Sequence, residues 1–136
     1  MKIARPLVSI ALYLKGSDLD PTIVSKTLGI EPSRSQKKGG YTHGSTKVIA
    51  KIGMWALEIS SDSRPVEEMV EELIRKIGDS ARPLNEIEGV EDAYLDIFIA
   101  WDDGPNESVE FRLTKEHAEK LSQLGLAVCF SVSKPD

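Results

Sequence analysis

Cysteine is almost missing from this chain of 136 residues. Cys129 stands alone, so no internal disulfide can form and no cysteine metal cluster can be built, a usage that fits a reducing compartment. Histidine is nearly as scarce. His43 and His117 have no H-x-x-x-H relation, and with no C-x-x-C spacing a transition-metal site would have to come from scattered carboxylates. No metal and no cofactor is therefore expected. Aromatic residues make up 6% of the chain and the net charge is -5, which leaves it without the broad basic footprint of a nucleic-acid-binding domain.

Long apolar runs are absent too. Nothing approaches the roughly 18 residues that cross a bilayer. The opening "MKIARPLVSIALYLKG" places Lys2 and Arg5 before an apolar stretch, but that stretch meets Lys15-Gly16-Ser17-Asp18 instead of a small-residue cleavage site. A secretory signal is not expected, nor a membrane partner. A soluble cytoplasmic protein is. There is no internal repeat, and 136 residues suffice for one domain with its own core, so residues 1–136 are expected to form a single domain.

What is present is periodicity. Val8, Ile10, Leu12 and Leu14 alternate with Ser9, Ala11 and Tyr13, the pattern of a strand with one buried face. Asp20 then offers an N-cap, Pro21 suits the first helical position, and Gly29 offers the left-handed conformation that ends a helix. From Thr46 to Ser60, Val48, Ala50 and Ile52 alternate in one phase and Trp55, Leu57 and Ile59 in the other. The slip at Gly53-Met54 predicts a β-bulge or a tight bend into a separate strand. Helix periodicity is strongest in "SRPVEEMVEELIRKIG", where Val66, Met69, Val70, Leu73, Ile74 and Ile77 form the apolar stripe and glutamates precede the basic residues Arg75 and Lys76. Leu84 and Ile87, in the connection that follows, are expected against the core.

Two further strands are predicted, one with Leu95, Ile97, Ile99 and Trp101 and one with Val109, Phe111 and Leu113, joined by the turn "DDGPNES". That acidic turn has oxygen ligands, but an EF-hand loop lies between helices, and these flanks are strands. Thr114 caps a third helix ended by Gly125, and "AVCFSVS" supplies the last strand. The order β-α-β-α-β-β-α-β predicts an α+β fold: an antiparallel or mixed sheet of about five strands with helices mainly on one face, a ferredoxin-like variant. The uncovered face would carry the residues out of phase with the core, a natural partner surface.

No nucleophile stands with a base. Cys129 falls within a strand, where a small core-like residue is the expected role, and His117 falls in the first turn of a helix. Trp55 and Trp101 share the apolar phase of their strands. The exception to the acidic chain is the glycine-rich loop 31–47, with Arg34, Lys37, Lys38 and Lys47 against Glu31 alone. Its backbone N–H groups and hydroxyls could meet an anion, with Arg34, Lys37, Lys38, Tyr41 and His43 as the candidate binding residues. It lacks G-x-x-x-x-G-K-[ST] and G-x-G-x-x-G, and it leads into a strand.

The segments "GSDLDPTIVSKTLGIEPSRSQKKG", "GMWALEIS", the acidic helix and "FRLTKEHAEKLSQLGLAVCFSV" together resemble a bacterial family known as domain of unknown function 4279. The resemblance covers nearly the whole chain and brings no activity, substrate or catalytic residue with it. It implies that the Glu31-Pro32-Ser33-Arg34 turn and the Gly53/Trp55 pair belong to the family pattern. With no catalytic constellation, the expected function is a non-enzymatic interaction module, of an immunity or regulatory kind, meeting a basic protein partner. The alternative is a binder of phosphorylated or other anionic small molecules through loop 31–47. Homo-oligomers through a free sheet face or edge are also open.

Overall fold

The computed structural model describes residues 7–41, 48–61, 64–78, 83–100 and 111–133. Its centre is the first strand, β1 (Leu7–Gly16). β1 runs antiparallel to β3 (Gly53–Ser61) on one side and to β4 (Asp92–Ala100) on the other. A three-residue strand, β2 (Arg34–Gln36), closes the β3 side, and β5 (Ala127–Ser133) lies parallel to β4, giving the order β2-β3-β1-β4-β5. The fold is α+β with a mixed five-stranded sheet.

The helices form where local chemistry places them. In α1 (Pro21–Leu28) the Asp20 carboxylate accepts from the Thr22 N–H at 3.0 Å, and Gly29 leaves at φ 70°. α2 (Val66–Ile77) buries Val66, Met69, Val70, Leu73 and Ile77. α3 (Lys115–Gln123) starts where Thr114 Oγ1 accepts from the His117 N–H at 3.0 Å, a cap worth about 1 kcal/mol. All three contribute to one core with Ile10, Leu12, Leu14, Trp55, Leu57, Ile59, Leu95, Ile97 and Ile99. Leu84 and Ile87 are buried there as expected. Leu73 has no exposed surface, and its truncation to alanine would cost about 2–5 kcal/mol.

Two expectations about the order are corrected. Phe111 to Leu113 belong to no strand; Phe111 and Leu113 instead pack against the core, and residues 101–110, with Trp101 and most of the expected turn, lie outside the described residues. The fifth strand is β2, inside the segment expected to be loop. The sequence of elements is thus β-α-β-β-α-β-α-β. Its first six in sheet order β2-β3-β1-β4 follow the split β-α-β connectivity, with α3 and β5 appended. The Gly53 phase slip is a bend. The chain turns at Lys51-Ile52 and β3 begins at Gly53, where a Cβ would sit 2.2 Å from the Leu19 carbonyl oxygen.

Candidate functional site: the uncovered sheet face

Alternation along the strands decides what the second face of the sheet presents. Because Ile10, Leu12 and Leu14 point into the core, Ser9, Ala11, Tyr13 and Lys15 point away from it. Register then sets their neighbours. Ala11 lies between Glu58 and Asp96, Tyr13 between Ala56 and Tyr94, and Lys15 between Met54 and Asp92. Arg34 adds to the Ala56 row from β2, and Cys129 and Ser131 extend the Asp96 and Phe98 rows from β5. Two hollows open on this face, of about 320 and 510 Å³, and the described residues that line them all belong to strands. No helix of the described residues covers it.

Tyr13, Lys15, Arg34 and Tyr94 hold one another in place. The rings of Tyr13 and Tyr94 stack with centroids 5.3 Å apart. Lys15 Nζ donates to the Tyr94 hydroxyl at 2.6 Å and lies 5.0 and 5.1 Å from the Tyr13 and Tyr94 ring centroids, a cation–π geometry. Arg34 Nη2 donates to the Tyr13 hydroxyl at 2.8 Å and pairs with Glu58 at 2.7 Å. Ser131 donates to Asp96 at 2.8 Å. Small residues set the floor: Ala11 and Ala56 are buried beneath these longer side chains. The result is a polar-rimmed surface with the Tyr13–Tyr94 stack at its centre.

The turn before β2 delivers Arg34 to this place. Ser33 N–H donates to the Ala56 carbonyl at 2.7 Å, and its hydroxyl accepts from the Glu58 N–H at 2.9 Å. The Pro32-Ser33 corner is clamped to β3, and the next residue must then point onto the open face. The model of the family described as a domain of unknown function, DUF4279, matches residues 6–133. The chain belongs to that family. No curated protein and no solved structure matches it.

In this DUF4279 chain the five loop candidates do not converge. Arg34 reaches Tyr13 and Glu58. Lys37, three residues on, has the opposite facing and lies 3.8 Å from Asp20 at the start of α1. Lys38 is exposed in the turn, and Tyr41 is 59% exposed and bridges to Ile49. His43 lies outside the described residues. Cys129 is in a strand as expected but is exposed on the open face and not core-like, because β5 is an edge strand whose odd positions point away from the helices. His117 is half-buried in the first turn of α3, with Nδ1 buried and, among the described residues, without a hydrogen-bond partner. Among the described residues no group of three or more His, Cys, Asp or Glu is placed to hold a metal ion, and no helix is long and apolar enough to cross a membrane.

Sequence reasoning marked the out-of-phase face as a partner surface but did not single out Tyr13, Lys15, Glu58, Tyr94 or Asp96. The available signal was the residue type at the out-of-phase positions: two tyrosines, a lysine and two carboxylates where a merely solvated face needs only small polar groups.

Proposed function

We propose that this chain is a non-enzymatic interaction module that docks a protein partner on the uncovered face of its sheet. The observation that carries the reading is the Tyr13–Tyr94 stack held between Lys15 and Arg34. Tyrosine and arginine are enriched among the residues that dominate binding energy at protein interfaces, and side chains already fixed before association lose little entropy on binding. Glu58, Asp92 and Asp96 on the same face, with the net charge of -5, favour a basic partner by speeding encounter. The unpaired, exposed Cys129 suits a reducing cytoplasm, where an immunity or regulatory protein would meet such a partner.

The test is capture of partner proteins from the native host at low salt with the full chain as bait, compared across variants. A protein retained in stoichiometric amount should be lost with Tyr94→Ala and with Phe98→Ala. It should be kept by the double variant Glu68→Ala/Glu71→Ala, which alters α2 on the other side of the sheet. Capture indifferent to the first two substitutions, or no stoichiometric partner at all, would refute the reading. An anion site in loop 31–47 has weaker support, since Arg34 and Lys37 face opposite ways and each has a carboxylate beside it.

A further inference from the structure

The two edges of the sheet are built differently. β2 is only three residues long, Pro32 precedes it, Lys37 and Lys38 follow it, and the Gln36 side chain bonds the Ile52 carbonyl at 3.1 Å. Short length, proline and lysine are the devices by which an edge strand avoids pairing with another chain. β5 is more than twice as long and has neither proline nor lysine within the strand, Lys134 and Pro135 coming only after its last residue. Its seven residues, Ala127-Val-Cys-Phe-Ser-Val-Ser133, include no charge and no proline, and among the described residues no strand pairs with its outer side. Phe130 is 57% and Val132 67% exposed.

We propose that β5 pairs antiparallel with β5 of a second copy of this chain, joining two sheets into one. A partner of this kind is favoured because the edge is complementary to itself. In a twofold pair centred on Phe130, the middle of the strand, every residue of β5 has an opposite number. Phe130 meets its own copy, Val128 meets Val132, and Cys129 meets Ser131. The large apolar side chains stay on the helix side of the joined sheet and the small residues on the open side, so the two layers of each copy remain in line. No like charges are brought together, the condition that most often forbids self-pairing of an edge. The exposed N–H and C=O groups of β5 gain ladder partners, and Phe130, already stacked on Phe111 at 5.8 Å, gains cover on its outer side.

The experiment is light scattering on the full chain over roughly a 100-fold concentration range, since assembly follows mass action. Wild type is expected to reach twice the 15.0 kDa mass of the chain. Phe130→Lys and Phe130→Glu, each checked for unchanged circular dichroism, should both be monomeric, because each sets like charges face to face. Mixed in equal amounts they should associate again, since the opposed pair is then of opposite sign. In a Cys129→Ser background, Phe130→Cys should oxidise to a linked dimer and Val128→Cys should not. A wild type that stays monomeric throughout, a dimer that survives Phe130→Lys, or cross-linking as fast at 128 as at 130 would each overturn the proposal.

Discussion

Lys15 donates to the hydroxyl of Tyr94 at 2.6 Å while lying over the rings of both Tyr94 and Tyr13. One cation thus holds two rings from neighbouring strands. Tyr94→Phe keeps the stack and removes the hydrogen bond, with an expected loss of about 0.5–1.5 kcal/mol in urea unfolding. Combined with Lys15→Met in a double-mutant cycle, it should show a coupling energy clearly different from zero. Simple additivity would mean that the two groups do not act together.

Trp55 is fully buried, and its indole N–H donates to Ser25 Oγ at 3.1 Å. Ser25→Ala leaves that donor without an acceptor inside the core, which should cost about 1–3 kcal/mol. In a Trp55→Phe background the same Ser25→Ala change should cost almost nothing. An equal cost in both backgrounds would locate the role of Ser25 elsewhere.

Glycine substitutions should separate crowding from backbone strain. A Cβ on Gly53 would lie 2.2 Å from the Leu19 carbonyl oxygen, so Gly53→Ala should destabilise by about 3 kcal/mol or more, or prevent folding. Gly29 has φ 70° and open space around it, so Gly29→Ala should cost only about 1–2 kcal/mol. Melting temperatures in the reverse order would refute the close approach at Gly53.

Acid stability should depend on Glu72. The hydrogen bond from Arg64 at 2.5 Å, helped by Lys76 at 3.5 Å, holds its carboxyl below the ordinary glutamate range. A carboxylate whose pKa falls on folding adds stability above its unfolded value and loses it as the pH drops through the folded one. Glu72→Gln should therefore flatten the fall in stability below the ordinary carboxylate range in urea melts at stepped pH. Parallel pH profiles for the two proteins would exclude the linkage.

The helices were legible in the sequence because their signals are local. Asp20, Pro21 and Gly29 bracket α1 within ten positions, and the stripe from Val66 to Ile77 needs no distant partner to be read. β2 was not legible. Its three residues show no alternation and become a strand only because Ser33 is clamped to Ala56 and Glu58. The opposite failure occurred at Phe111–Leu113, where alternation reported correctly which side chains turn inward and said nothing about a ladder. For the site, periodicity gave the open face but not the rows across it, since register relates segments far apart in the chain, Lys15 with Met54 on one side and with Asp92 on the other.

β1 occupies the middle of the sheet, although it lies near the start of the sequence. On a ribosome it emerges before either neighbour exists, has no partner until β3 is made and no second one until β4 follows. Such long-range pairing closes large loops before any ladder rewards it, which slows folding. The strand that binds the whole sheet together is the one that waits longest for its partners during synthesis, and Ser9 and Tyr13 between its apolar residues, with Lys15 after the last of them, break what would otherwise be a continuous hydrophobic run.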